Sequence, residues 1–283
     1  MSDIPIIDRS RRKMSFKQKL RNMLGHEEFK KANIYKALLA EFLGTGMLVL
    51  VGCGSTTLWD KKSAPSVVQI ALAFGIIMAT VVQSICHISG GHINPAISLG
   101  CLVAGHCSIL RAVLYLIVQC LGAVAGAAIL WSITPGDLDS KLGMTALGKN
   151  MNGLRALGVE IIITFILVVT VLSVIDHKRK DVNGSAPLAI GLSITACHLW
   201  AFKFTGASMN TARTFGPAVI MNNWEHHWVY WLGPLAGGFI AGLLYKWVFE
   251  APKAEEDKLP PDPLREDSEE GSSEPPKRPP PRV

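Results

Sequence analysis

The chain has 283 residues, of which 49% are hydrophobic and 18% are charged, with a formal net charge of +6 and a mean hydropathy of +0.31. The charges lie mainly at the ends, because residues 37–250 hold only 12 Lys/Arg and 9 Asp/Glu. A water-exposed surface needs roughly a quarter to a third of charged residues, so an ordinary soluble domain is excluded. The middle of the chain must contact lipid or itself, which is typical of a polytopic membrane protein.

The N-terminal segment, residues 1–32, is basic and polar. No apolar core of a cleaved signal peptide precedes Ala37, so we expect a cytosolic segment followed by a first span that inserts the chain. Its ten Lys/Arg over residues 1–36 then act as an orientation signal. The net positive charge does not indicate binding to nucleic acid.

Six stretches are long and apolar enough to cross a bilayer as helices. They are residues 37–58, 66–86, 111–133, 154–175, 186–202 and 228–249. Two further apolar stretches, 94–103 and 210–221, are too short to cross, and each follows a polar loop that contains glycine. Non-helical backbone is tolerated at membrane depth only where it is buried in protein or lines water. The sequence therefore predicts two re-entrant half-helices.

The distribution of positive charge supports this count. The basic N-terminus and the Lys-Arg-Lys run at 178–180 both belong inside, and four full spans between them keep both on one side. A fifth crossing by 94–103 would place the run outside. We therefore expect both termini in the cytoplasm, with a disordered tail rich in proline and charge over residues 251–283. A cytosolic partner or a kinase that acts on the tails is an open alternative.

The chain also contains an internal repeat. Residues 89–96, Ser-Gly-Gly-His-Ile-Asn-Pro-Ala, align without gaps at an offset of 116 with residues 205–212, Thr-Gly-Ala-Ser-Met-Asn-Thr-Ala. Two glutamates and two small-residue runs repeat around these motifs, namely Glu41, Glu160, 121–127 and 232–238. Each half holds three spans and one re-entrant segment, so the second half is inserted upside down. Inverted repeats place a site at the midplane, where discontinuous helices meet.

With this pair of motifs in a six-span inverted repeat, residues 33–250 resemble the aquaporin family, and the surroundings of the second motif resemble its water-selective branch. The resemblance implies an all-α membrane protein with six transmembrane helices and two re-entrant half-helices, in repeat halves at about 33–133 and 154–250. It also implies a homotetramer in the lipid bilayer of the plasma membrane, without cofactor, metal or catalytic residue. Thr211 departs from the family's pattern, because the second motif usually has proline there.

An asparagine begins each predicted half-helix. Asn is a favoured N-cap and proline suits the first helical position, so capping alone would explain both asparagines. The pore interpretation adds that each amide faces the lumen and donates a hydrogen bond to passing water, where two partly positive helix N-termini converge. The predicted central constriction comprises Asn94, Pro95, Ala96, Asn210, Thr211 and Ala212.

Arg213 is a formal charge inside a predicted half-helix, and a charge at membrane depth is usually functional. By resemblance it belongs to an outer selectivity filter with Phe74, His198 and Ala207. In that filter Arg and His supply donors, and Phe narrows the passage. Thr214 and His198 stand where glycerol-conducting members usually have an aspartate and a small residue, which favours water.

The loops before the half-helices are expected to be extended, over residues 88–93 and 204–209. They would offer the water file a ladder of backbone carbonyls, from Gly90, Gly91, His92, Gly206 and Ser208. Buried carboxylates need partners, and the resemblance makes Glu41 and Glu160 supports for these loops, with proton-relay chemistry as the alternative. The six cysteines show no metal spacing or obvious pairing, so we expect reduced thiols that serve packing.

The function that follows is a passive channel that conducts water in single file down osmotic gradients and excludes protons and ions. Two alternatives remain: a channel that also passes gases or small neutral solutes such as glycerol or urea, because Thr211 loosens the second half-helix, and a membrane scaffold with a vestigial pore. An enzyme is not expected, because no nucleophile–base pair or metal-spaced cluster is present. A coupled transporter would need charged ion ligands at the midplane.

Overall fold

The computed structural model describes residues 23–25, 28, 32–58, 64–136, 141–179, 181–182 and 184–252. The predicted cytosolic segment 1–32 and the predicted tail 251–283 therefore lie almost entirely outside the described residues, as does Lys180. The described residues that form regular structure are helical, with no strand among them.

Six helices are long and apolar enough to span a bilayer, and two shorter ones interrupt their order. The long helices are α1 (Ala32–Gly54), α2 (Val67–Ser89), α4 (Ile109–Ile133), α5 (Gly153–Ile175), α6 (Ala186–Thr205) and α8 (Val229–Leu244), and a π-helical segment over Tyr245–Phe249 extends α8. The short helices are α3 (Pro95–Ala104) and α7 (Thr211–Met221). The predicted six spans and two half-helices are confirmed, with boundaries that shift by up to five residues.

Polar caps explain part of this shift. A side-chain oxygen of the cap residue accepts the backbone N–H three residues further on at the start of α2, α4, α5 and α6, and the caps are Ser66, Ser108, Asn152 and Ser185. Such caps satisfy N–H groups at helix ends that have no partner within the helix. Hydropathy does not report polar turns of this kind, which fix where a helix begins.

The packing of the helices follows the internal repeat. In the first half α1 packs on α2 and α4, and in the second half α5 packs on α6 and α8 in the same way. Across the halves α2 packs on α6, while each half-helix packs mainly on the last helix of the other half, α3 on α8 and α7 on α4. Each half-helix is therefore completed by the opposite half of the chain.

Glycines allow the helices to cross closely. A Cβ atom on Gly122 would lie 2.1 Å from the carbonyl oxygen of Phe42, and one on Gly126 would lie 2.3 Å from that of Gly46. Close approach of this kind is usual for helices that pack in lipid. There the hydrophobic driving force is absent, and van der Waals contact across small residues holds the helices together. It holds α4 against α1 and so fixes the frame in which α3 and α7 meet.

Candidate functional site

The two half-helices begin at capped asparagines. The Asn94 Oδ1 atom accepts the backbone N–H of Ala96 at 2.8 Å, with Pro95 as the first residue of α3. The Asn210 Oδ1 atom accepts the N–H of Arg213 at 3.1 Å, at the start of α7. Both side-chain oxygens thus cap the half-helices, and the amide nitrogens are the donors that these side chains offer to other groups.

The amide nitrogens cross between the two halves. Asn94 Nδ2 donates to the carbonyl of Met209 at 2.8 Å, and Asn210 Nδ2 donates to the carbonyl of Ile93 at 2.9 Å. Each amide has two N–H donors, so one donor of each asparagine ties the loops together and one is left. The sequence did not predict this reciprocal pair of bonds.

The first loop departs from the expectation of extended backbone over 88–93. Residues 88–89 still belong to α2, and Gly90, Gly91 and Ile93 have left-handed backbone with φ of 92°, 64° and 57°. Left-handed residues within a loop turn successive N–H groups toward one side. The prediction of an extended loop is wrong here, because the N–H groups converge on a carboxylate.

The second loop departs from the prediction in the same way. Residues 204–205 end α6, and Gly206, Ala207 and Met209 have φ of 78°, 50° and 53°. A positive φ is uncommon for a residue with a side chain. Its occurrence at Ala207 and Met209, and at Ile93 in the first loop, shows that the surroundings hold these loops in a fixed conformation.

The Glu41 carboxylate holds the first loop. Its Oε1 atom accepts from the Ser89 hydroxyl at 2.7 Å and from the His92 N–H at 2.9 Å. Its Oε2 atom accepts from the Ile93 N–H at 2.6 Å and from the Gln119 amide at 2.8 Å. The side chain is completely buried, and four donors compensate the loss of water around it.

The Glu160 carboxylate holds the second loop in the same manner. Oε1 accepts from the Thr205 hydroxyl at 2.6 Å and from the Ser208 N–H at 3.0 Å, and Oε2 accepts from the Met209 N–H at 2.9 Å. Within each peptide unit the C=O points opposite to the N–H. The carbonyls of Ala207 and Ser208, like those of Gly91 and His92 in the first loop, therefore point away from the carboxylates.

Two buried tyrosines complete these supports. The Tyr115 hydroxyl donates to the carbonyl of Ser89 at 2.7 Å, and the Tyr230 hydroxyl donates to the carbonyl of Thr205 at 2.8 Å. Their sequence offset is 115, four more than the 111 that relates the small-residue runs around them. Since four residues make about one helical turn, the two tyrosines lie on the same face of their helices. They are not at equivalent positions when the two halves are aligned, so the repeat does not reveal the pair.

Three of the four predicted filter residues come together. The rings of Phe74 and His198 stack with centroids 4.6 Å apart, and the Arg213 guanidinium lies 4.9 Å from the centroid of Phe74. Arg213 is only 2% exposed and donates through Nη1 to the carbonyl of Gly143 at 2.7 Å. Its Nε atom has no hydrogen-bond partner among the described residues.

His198 differs from the prediction that it supplies a donor. Its Nδ1 atom lies 3.0 Å from the carbonyl of Ile194, and a carbonyl only accepts, so Nδ1 carries the proton. Nε2 has no partner among the described residues. In the neutral ring Nε2 is an acceptor, so among the described side chains of this constriction Arg213 is the donor.

A narrow cavity connects the constriction to the two asparagines. About 20 Å³ of it is open to the centre of a water molecule, which is about the space that one ordered water requires. It is lined by Leu48, Phe74, Met78, Asn94, Leu167, Ile194, His198, Ser208, Met209, Asn210 and Arg213. The four aliphatic and thioether side chains from the spanning helices were not predicted, although Leu48 and Leu167 are related by the same offset of 119 as Glu41 and Glu160.

Several predicted site residues do not line this cavity. Ala207 and Thr211 are completely buried and lie outside its lining, and the Thr211 hydroxyl has no partner among the described residues. Pro95, Ala96 and Ala212 are likewise buried beside the asparagines as the first residues of the half-helices. Thr211 therefore has no direct contact with the cavity, and an effect on selectivity would have to act through the stiffness of the start of α7, as the sequence predicts.

The six cysteines are all free, and no group of three or more His, Cys, Asp or Glu among the described residues is arranged to hold a metal ion. Four of the six thiols are buried.

The sequence and the fold are both similar to those of known proteins. The chain matches the family described as major intrinsic protein over residues 28–245. It is 50% identical to aquaporin-4 of Mus musculus over 218 residues, which are 76% of this chain and 68% of that protein. It is 43% identical to aquaporin-1 of Homo sapiens over 233 residues, with 80% and 86% covered. Among solved structures, the aquaglyceroporin from Plasmodium falciparum matches with a TM-score of 0.69 at 21% identity, over 76% of this chain and 97% of that one. At this identity the likeness shows the fold alone.

Proposed function

The chain belongs to the major intrinsic protein family and is one of its water channels, and we propose that water crosses it in single file past Arg213 and between Asn94 and Asn210. The main support for this proposal is the cavity that these three residues line, which is large enough for about one water molecule at a time. Members of this family are membrane channels and not enzymes. The proposed function is therefore passive flow down an osmotic gradient.

Exclusion of protons and cations is assigned to the meeting point of α3 and α7. Each helix N-terminus carries roughly half a positive charge. Each asparagine has one N–H donor that is not used in the cross-bonds, and these two donors orient the oxygen of a water molecule between them. A water held in this way directs its own hydrogens outward, so it cannot accept a proton from a neighbour in the file.

Selection by size is assigned to Phe74, His198 and Arg213. The stacked rings and the guanidinium close one side of the passage, while Arg213 offers a donor and His198 an acceptor to a single water. Conduction of larger neutral solutes is not favoured, because the cavity is narrow and Thr211 lies away from it. The scaffold alternative is likewise not favoured, because a cavity is present between Arg213 and the two asparagines and the similar proteins are water channels.

Backbone carbonyls complete the proposed water path. Those of Gly91, His92, Ala207 and Ser208 point away from the two carboxylates, and Ser208 lines the cavity. They offer acceptors in succession without a charge, so water is bound weakly enough to leave. Gly90 and Gly206 from the predicted ladder act instead as the left-handed ends of α2 and α6.

The orientation follows the positive charge. The basic N-terminus and the run that contains Lys178 and Arg179 are assigned to the cytoplasmic side of the plasma membrane. Both termini are then cytoplasmic, and the constriction at Arg213 opens to the outside. A homotetramer is part of the proposal, and it rests on the resemblance to the family. The large apolar side chains exposed on the spanning helices would contact lipid or a second copy.

The proposal is tested with the purified full-length protein in liposomes, by stopped-flow light scattering after an osmotic step. We expect water permeability well above that of empty vesicles, with glycerol and urea excluded. The Arg213→Ala variant is expected to conduct water and to admit these solutes, because the guanidinium donor of the constriction is removed and the passage becomes wider. Water permeability equal to that of empty vesicles in the unmodified protein would overturn the proposed function.

A further inference from the structure

The loop over residues 141–148 contacts Arg213, which lines the cavity. The carbonyl of Gly143 accepts from the Arg213 guanidinium at 2.7 Å. Further along the loop, the Gly148 N–H donates to the carbonyl of Phe204 at 2.8 Å. Leu142 is 1% exposed and belongs to the main hydrophobic core. The loop is thus bonded to α7 and to the end of α6, and it is anchored in the core between them.

A chain of hydroxyl groups runs from this loop to the central asparagine. Thr145 Oγ1 lies 3.0 Å from Thr214 Oγ1, which lies 2.6 Å from Ser208 Oγ. The Ser208 hydroxyl donates to the carbonyl of Asn210 at 2.9 Å. The hydroxyl groups of Thr145, Thr214 and Ser208 thus form a continuous chain that ends at the carbonyl of Asn210, which only accepts. Thr145 is also a side-chain hydrogen-bond partner of Tyr230.

The first half of the molecule contains the counterpart of this chain without the loop. His92 Nδ1 lies 3.0 Å from Ser98 Oγ, and the Ser98 hydroxyl lies 3.2 Å from the carbonyl of Asn94. These positions are related to Ser208 and Thr214 by the offset of 116. The third member in the first half is Gln119 on the spanning helix α4, at 3.4 Å from Ser98. In the second half a loop residue, Thr145, takes that place.

We propose that Thr145 is a positioning residue that sets the solute cut-off of the constriction at Phe74, His198 and Arg213. It holds the first turn of α7 against the loop through Thr214, the residue that follows Arg213, while Gly143 holds the guanidinium itself. Without the Thr145 hydroxyl the first turn of α7 loses one of its two bonds to the loop, and the guanidinium is held less firmly against Phe74. The inference rests on the proposed function and adds to it the residue that fixes selectivity.

The experiment compares Thr145→Val with Thr145→Ser and Thr145→Ala in liposomes of the full-length protein. The matched control is Thr170→Val, because Thr170 is a half-buried threonine on α5 whose hydroxyl donates to the Ile166 carbonyl of its own helix. For Thr145→Val and Thr145→Ala we expect the ratio of urea to water permeability to rise by about fivefold, the factor that one lost hydrogen bond provides. Thr145→Ser and Thr170→Val are expected to keep the ratio of the unmodified protein.

A double-mutant cycle separates positioning from a general loss of structure. If Thr145 acts through Thr214, then Thr145→Val combined with Thr214→Val changes the ratio no more than either change alone. Independent effects that multiply would overturn the inference, as would an unchanged ratio in both Thr145→Val and Thr145→Ala. Water permeability of the unmodified protein, measured in the same vesicles, tests the proposed function separately, since it does not depend on any Thr145 variant.

Discussion

The side-chain amide of Asn94 donates to the carbonyl of Met209, 115 residues away, and its counterpart Asn210 returns a bond to the carbonyl of Ile93. The two bonds join the re-entrant loops of the two repeat halves. They also fix the distance between the helix N-termini of α3 and α7. The central constriction is therefore a closed structure of two loops, in which neither asparagine is placed by its own half alone.

Thr211→Pro is expected to leave the water permeability within about twofold of the unmodified protein and to raise the free energy of unfolding by about 0.4–1 kcal/mol. The physical reason is that Thr211 is the first residue of α7, where proline fits, and its side chain lies outside the cavity lining. Stopped-flow permeability and thermal melting measure the two effects. Thr211→Val is the matched variant, and a change of urea permeability in either variant would contradict the expectation.

Glu160→Gln is expected to destabilise the fold and reduce water permeability. The glutamine amide nitrogen would face one of the N–H groups that the carboxylate now accepts, at Ser208 or Met209, and an unsatisfied buried polar group costs about 1–3 kcal/mol. Glu225→Gln is the control, because the Glu225 side chain is 81% exposed. A melting temperature and permeability unchanged by Glu160→Gln would show that the loop does not depend on this carboxylate.

Gly126→Ala tests the close contact between α4 and α1. The added Cβ would lie 2.3 Å from the carbonyl oxygen of Gly46, so the helices must move apart, and overpacking of this kind costs about 1–3 kcal/mol. Gly158→Ala on α5 is the control, since a Cβ there meets no atom within 4 Å. We expect a lower melting temperature for Gly126→Ala only. Equal melting temperatures would mean that the crossing tolerates a methyl group.

Acid is expected to destabilise the protein in part through His227, which lies between α7 and α8. Its ring packs against Trp224 at a centroid distance of 4.9 Å, and burial lowers the pKa of His227 below its usual value. The unfolded chain then binds the proton more readily, so stability is lost as the pH falls through about 6.5 and below.

The measurement for His227 is the difference in melting temperature between about pH 7.5 and about pH 5.0, which lie roughly one unit or more on either side of the ordinary histidine pKa. His227→Gln is expected to make this difference smaller, and His226→Gln, at an exposed neighbouring position, is the control. A difference that stays the same in His227→Gln would assign the acid sensitivity to other groups.

Much of the fold and part of the site were predictable from the sequence, because the key residues occur at equivalent positions in both halves of the internal repeat. The six spans, the half-helices, Glu41 with Glu160, and Asn94 with Asn210 all follow from apolar length and from the two offsets of 116 and 119. The same register relates Leu48 to Leu167, so these lining residues were within reach of the same reasoning.

The rest could not be read from the repeat, for physical reasons. Tyr115 and Tyr230 are displaced by one helical turn in the register, and only the packed helices show that they contact equivalent carbonyls. Gly143 and Thr145 lie in a loop without a counterpart in the other half, and their contacts with Arg213 and Thr214 depend on how that loop folds back. Local sequence carries no signal for such a tertiary contact.

The reciprocal asparagine bonds also set an order of events during synthesis. When the first half has entered the membrane, the Asn94 amide still lacks its acceptor, because Met209 lies 115 residues further along. A ribosome that adds about 5–20 residues per second needs roughly 6 to 23 seconds to supply it. During that interval the first re-entrant loop has an unpaired donor at membrane depth, so the nascent chain needs water or the translocation machinery beside it until the second half arrives.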